Sequence, residues 1–194
     1  MGTRGAYGFR HNDKDTISYN HYDSNPSGLG NKVANFLKEF TNIDDIKKII
    51  GDIKLVQESS KPTEEQKKEV MAFGLCDLDV SSRSSDDWYC LLRNSQGDLS
   101  VYTKGLNYMI DGHEFLADSL FCEWAYIINL DTEELEIYRG FNKDANACGR
   151  YAYLTRKKEY EYFGVVLERT IPLADFFGKD VDLTYIEEEV EDED

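Results

Sequence analysis

The sequence predicts a single α+β domain: an antiparallel sheet with helices packed on it, followed by an acidic disordered tail. Three observations carry the prediction. Segments with helical spacing of apolar residues and segments with strand-like alternation are interspersed without βαβ alternation. The 194 residues suit one domain at roughly 150 residues per domain. The chain is 41% apolar, with 13 tyrosines and ten phenylalanines, enough for a packed core and inconsistent with general disorder. The domain is expected over residues 1–186 and the tail over 187–194.

The elements follow in order. Residues 6–10 and 16–22 are short, aromatic-rich and extended in pattern, and His11-Asn12-Asp13-Lys14-Asp15 between them reads as the loop of a β-hairpin. Ser24–Gly30 is a turn cluster, after which Val33, Phe36, Leu37 and Phe40 mark one face of a helix. A second helix starts at Asn42 as N-cap and buries Ile43, Ile46, Ile49, Ile50 and Ile53. In a third, Thr63-x-x-Gln66 forms a capping box. Asp86–Arg93 reads as a short acid-started helix, Leu99–Thr103 as a strand, and Asp111–Ser119 as a further helix. Strands are expected at Phe121–Leu130, Leu135–Phe141, Tyr151–Thr155 and Tyr162–Leu173.

For the 121–141 hairpin, pairing Leu130 with Leu135 puts Cys122, Trp124, Tyr126, Ile128, Leu130, Leu135, Ile137, Arg139 and Phe141 on one face, the expected core side. The opposite face, with Phe121, Glu123, Ala125, Ile127, Asn129, Glu136, Tyr138 and Gly140, is mixed. A one-residue slip would invert both faces.

Charge narrows the function. With 38 acidic and 22 basic side chains the formal net charge is −16, which argues against tracking a nucleic-acid backbone and permits an acidic surface offered to a basic partner. Seven of the last eight residues are Asp or Glu, and a terminal run of like charge is expected to stay solvated. The opening residues hold no apolar stretch suited to a signal peptide, and Leu120–Leu130 is too short to span a bilayer. A cytoplasmic protein without membrane association is the expectation. Cys76, Cys90, Cys122 and Cys148 show no zinc-ligand spacing and are expected to be free thiols; neither metal nor cofactor is implied.

Three places could carry chemistry. Arg139, on the apolar face of its hairpin, needs a carboxylate such as Asp23 or an anionic ligand. His21 and Asp23 lie two apart on one strand face, an imidazole and carboxylate suited to acid–base work. They lead into Ser27, Gly28 and Lys32, where helix N-terminal amides and an ammonium suit an anion. Ordinary structural roles, a paired arginine and a glycine-rich turn with a capping serine, are the favoured account of Arg139 and of the Ser27–Lys32 turn. Beside Cys122, Glu123 is the candidate general base. A nucleophilic Cys122 would need His21 or His113 brought to it.

Met1-Gly2-Thr3-Arg4-Gly5, Tyr19–Gly30, Trp88–Arg93, Ser119–Tyr126 and Tyr138–Phe141 together resemble an uncharacterised family of small bacterial and phage proteins. The resemblance covers most of residues 1–141 and implies a phage or mobile-element source without implying a mechanism. The opening hairpin is also similar in layout to choloylglycine-type N-terminal nucleophile hydrolases, with Tyr19-Asn20-His21-Tyr22-Asp23 in the place of the returning-strand motif. It departs from them in that methionine removal would expose Gly2, which has no nucleophile.

Two functions compete. In the first, a small acidic interaction protein inhibits or modulates a basic host protein, such as a nucleic-acid-binding or defence factor. In the second, a small hydrolase or nucleotide-binding protein gathers His21, Asp23 and Glu123 as catalytic groups and Arg4, Ser27, Gly28, Lys32 and Arg139 around a small anionic ligand. Convergence of His21, Glu123 and Arg139 in one pocket would favour the second.

Overall fold

The computed structural model describes residues 2–144, 146–154 and 161–193. Strands β1 (Gly5–His11) and β2 (Lys14–Asn20) form the opening hairpin. Its turn is tighter than expected, with only Asn12 and Asp13 at the bend. Both have positive φ, 52° and 58°, the geometry that matches strand twist in a two-residue hairpin. The Asp131 carboxylate accepts from both turn amides, at 2.8 and 3.0 Å.

The chain then forms one π-helical turn, Pro26–Gly30, that runs straight into α1 (Asn31–Lys38). Helix α2 (Ile43–Gly51) has Asn42 as N-cap, its side chain accepting from the Asp45 amide. Of its isoleucines only Ile46 is fully buried; the others pack partly exposed against the core. Strand β3 (Lys54–Val56) precedes α3 (Glu64–Met71), whose Thr63–Gln66 capping box is present in both directions. Helix α4 (Trp88–Leu91) begins at Asp87, which accepts from the Tyr89 amide.

Residues 99–103 depart from expectation. They form helix α5 (Ser100–Thr103), not a strand. The reason is Asp98, whose carboxylate holds the Ser100 amide at 3.0 Å and hydroxyl at 2.6 Å, a local bond that starts a helical turn. Strand β4 (Tyr108–Ile110) pairs in parallel with β3, and the expected helix after it shrinks to a 3₁₀ segment, His113–Ala117.

Strands β5 (Trp124–Asn129), β6 (Glu134–Arg139) and β7 (Val166–Pro172) complete the main sheet, in the order β2-β1-β5-β6-β7. The sheet is mixed where an antiparallel one was expected, because β1 lies parallel to β5. A parallel neighbour needs a long crossover, here the whole helical segment between β2 and β5. The β5–β6 register is Ile128 opposite Leu135, two residues from the expected pairing. Asn129 causes the shift: its side chain accepts from the amides of Asp131 and Thr132, at 3.0 and 3.2 Å, and closes the turn early. A two-residue slip keeps side chains on their faces. Tyr151–Tyr153 is a turn instead of a strand, and Thr155 lies outside the described residues.

Both sheet faces are buried. Tyr7, Phe9, Trp124, Tyr126, Ile128, Leu135 and Ile137 pack against α1, α4 and α5 in the larger core. The face expected to be mixed carries a second core around Ala6, Ile17, Ala125, Ile127 and Tyr138, covered by Leu116, Tyr151 and Val165. Cys122 joins this second core because strand β5 starts only at Trp124, after the alternation that would have turned the thiol the other way. Within the second core sits a polar network. Glu136, 5% exposed, accepts from Asn129 Nδ2 at 2.7 Å and the Tyr138 hydroxyl at 2.9 Å, and it pairs with Arg150. Arg150 lies over the Tyr151 ring, whose hydroxyl donates to Asp15. Asp15 in turn pairs with Arg10 and His113.

The acidic C-terminal run forms helix α6 (Thr184–Glu193) where a disordered tail was expected; Asp194 lies outside the described residues. Ile186 is buried in the main core, and Glu189 pairs with Arg169. These anchors offset the repulsion of the run. No helix among the described residues is long and apolar enough to cross a membrane.

Candidate functional site

Strand β2 delivers His21 to the rim of a groove, and Asn20 holds the following bend by donating to Ser24 Oγ at 2.8 Å. The His21 ring lies 2.6 Å by its Nδ1 from the Tyr19 hydroxyl and stacks edge-on against Tyr22. Burial, then Arg93, then Arg4 lower its pKa, so at neutral pH the imidazole is neutral. The expected His21–Asp23 pair does not form. Asp23 is exposed at φ +48°, and its carbonyl accepts from the Leu29 amide at 2.7 Å. The left-handed bend that lets the backbone do this turns the carboxylate to solvent.

Glu123 is occupied structurally. Its Oε1 accepts from the Arg4 amide at 3.3 Å, and its backbone amide donates to the Arg4 carbonyl at 2.9 Å, clasping the N-terminal segment to β5. Arg139 ends β6 opposite Trp124, partly exposed and engaged by neighbours; the buried position expected of it is relieved because the strand stops there. His21, Glu123 and Arg139 therefore do not converge: of the three, only His21 lines the groove.

Ser27, together with Asn25, holds a carboxylate of the protein's own, whereas the Gly28 amide donates to the Asn25 carbonyl at 3.0 Å. The Glu187 carboxylate accepts from Ser27 Oγ at 2.9 Å, from Asn25 Nδ2 at 2.9 and 3.1 Å, and more distantly from the Ser27 amide at 3.4 Å. Gly28 is needed for the bend, since a Cβ there would stand 2.2 Å from the Asp23 carbonyl oxygen. Lys32 lies elsewhere, beside a separate hollow lined by Phe36 and Leu99. Cys122 is fully buried, and burial pushes its thiol far up, which suits packing and not nucleophilic attack. No cluster of three or more His, Cys, Asp or Glu suited to a metal occurs among the described residues.

What the fold does bring together is a polarised groove of about 570 Å³. Its lining combines Tyr19, Tyr89, Phe115 and Ile110 with the carboxylates of Glu58, Asp111 and Glu114. Gly112 forms the floor because its Cα lies against the β2 backbone, where a Cβ would meet Tyr19 N at 2.6 Å. The groove continues through Glu58 and Asp111 into a second hollow of about 670 Å³ bearing Asp86 and Asp87. Desolvation, then Asp87, raise the Glu58 pKa. Burial pushes the Asp87 carboxyl up, but the Ser82 and Ser81 hydroxyls and the Tyr89 amide outweigh it and hold it below the usual range. Asp111 accepts from Gln57 Nε2 at 3.0 Å and the His113 amide at 3.1 Å.

Two guanidiniums lie outside this lining but next to its Tyr89 and His21. Arg93 lies 5.0 Å from the Tyr22 ring centre and 5.5 Å from that of Tyr89, and Arg4 lies 4.6 Å from that of Phe121. Among the described residues neither arginine forms an ion pair, although Arg93 donates to Gln96 Oε1 at 2.8 Å. Of the expected ligand residues, Arg4 alone stays beside His21. Tyr19, Glu58, Tyr89, Arg93 and Asp111 were not foreseen, because they come from four separate segments. One local signal existed: Tyr89 and Arg93 are four apart on a helical segment, the spacing at which side chains meet. A search against protein-family models, curated proteins and solved structures finds no match to the chain.

Proposed function

We propose that this is an acidic binding protein that takes a basic polypeptide in the groove and so inhibits or modulates its partner, a nucleic-acid-binding or defence factor by the chemistry of such surfaces. The observation that supports it is the file of carboxylates, Glu58, Asp111, Asp86 and Asp87, along a groove walled by tyrosines. Carboxylates attract lysine and arginine heads, and aromatic faces hold cations and their alkyl stems. Of this file, Asp86 already pairs with Lys67; the raised pKa of Glu58 reflects a charge that a ligand cation would relieve. The hydrolase reading has less support, since His21 is held by Tyr19, Asp23 faces solvent and Glu123 is bound to the Arg4 backbone.

The test is calorimetric titration with a Lys/Arg-rich peptide at low and high salt. Binding should weaken by roughly tenfold or more as exposed charges are screened, and E58Q with D111N should weaken it at low salt. Affinity unchanged by salt, or equal affinity for an acidic peptide of the same length, would refute the proposal.

A further inference from the structure

Resting on that reading, the geometry points to which part of a basic chain the groove takes: its C-terminal end, with the terminal carboxylate held by Arg93, Arg4 and His21. A groove meant only for lysine and arginine side chains gains nothing from two guanidiniums beside it, and within a protein of net charge −16 these two stand next to the groove's His21 and Tyr89 with no carboxylate between them and an incoming anion. Arg10, Arg150 and Arg169 all pair with acids. Arg4 and Arg93 instead lie against aromatic rings, which pre-orders a guanidinium while leaving donors for an incoming anion. Arg93 and His21 lie against the same Tyr22 ring, at 5.0 Å and 4.3 Å from its centre, and both arginines act on the His21 imidazole, so the three groups share one field.

The charge of the anion follows from the remainder of the groove. Glu58, Asp111 and Glu114 line the same cavity and would repel a doubly charged phosphate, whereas a single carboxylate followed by basic side chains satisfies both ends. Tyr22, 53% exposed, stands between Arg93 and the groove's His21, its ring against both. This favours a chain that terminates over one that passes through with an internal Asp or Glu. The last side chain then meets Tyr19, Phe115 and Ile110, so an apolar final residue is expected, preceded by Lys or Arg toward Glu58 and Asp111.

The experiment compares the acetylated peptide Gly-Lys-Arg-Lys-Leu carrying a free C-terminal carboxylate with its C-terminal amide, and with an amidated version ending Leu-Glu. The free acid should bind at least tenfold more tightly than either amide. R93Q should abolish that preference, and E58Q should weaken all three peptides while preserving it. Backbone amide NMR spectra of both variants confirm that the fold is retained. Equal binding of free acid and amide overturns the terminus inference and leaves the basic-partner reading standing, as does preference for the Leu-Glu amide. Binding of none of the peptides at millimolar concentration overturns both. Tighter binding of adenosine monophosphate than of the free acid overturns the choice of a polypeptide.

Discussion

Replacing Glu136 by glutamine probes the polar network inside the second core. Glu136 Oε2 is approached by Arg150 and by the Tyr138 hydroxyl, and Oε1 by Asn129 Nδ2. Its side chain is 6% exposed and that of Arg150 29%. Truncating one member of a buried ion pair costs about 3–5 kcal/mol, because the other charge stays behind unpaired. Arg150 retains some solvent, and glutamine preserves one acceptor, so the expected loss is about 2–3 kcal/mol, below that range. For a chain of this size each kcal/mol lowers Tm by roughly 2–4 °C, and thermal and urea unfolding followed by circular dichroism should show a fall of about 4–12 °C. The companion variant R150M and the double variant complete a cycle. The double should be about 1–2 kcal/mol more stable than the sum of the single losses predicts, since it removes both charges together. An E136Q Tm within 1 °C of the parent, or strictly additive losses, would refute the account of Glu136 as a paired buried charge.

His113 gives a pH dependence of defined sign. Its pKa is raised above 6.5, first by the hydrogen bond to Asp15, with Asp111 and Glu114 adding to the effect against burial. The group therefore contributes stability fully below the unfolded pKa of about 6.5, and loses it as pH rises through the higher folded value. The urea midpoint should fall between pH 5.5 and 8.5 by more in the parent than in H113Q; parallel curves would contradict the pairing. T63A removes the acceptor for the Gln66 amide and should cost about 1 kcal/mol, read from the urea midpoint, with no loss expected if α3 frays independently. E187Q should weaken the hold on Ser27 and Asn25 and speed amide exchange at residues 27–30 and 184–187 first. Uniform exchange would show that the contact does not anchor α6.

Local chemistry was legible in the residues. The Thr63–Gln66 capping box, the Asn42 cap and the Asp87 helix start need only neighbours within three positions, so short-range hydrogen bonding determines them wherever the segment lies. The alternation along 124–139 likewise identified two strands and their faces, and those faces survived the two-residue slip because the side-chain period is two. Alternation does not say what covers a face. Leu116, Tyr151 and Val165 turned the supposedly mixed face into a core, and only their packing made the buried pair of Glu136 with Arg150 possible.

The candidate site divides in the same way. His21 and Arg4 were marked by residue type, but His21's partner is Tyr19 rather than Asp23, and a single left-handed residue decided that. Ser27 was marked for an external anion by its place before a helix; in the fold its hydroxyl and the Asn25 amide group hold the Glu187 carboxylate, and that Glu187, far along the chain, sits there is a matter of docking. The groove itself was invisible. Tyr19, Glu58, Tyr89, Arg93 and Asp111 come together only because β1 lies parallel to β5 and the long crossover between them folds over the end of β2. Sequence alone determined the α+β class, the caps and the excess of acid, which depend on composition and near neighbours. Tertiary structure decided which cations meet carboxylates and which stand beside the groove, because long-range docking sets which charges meet.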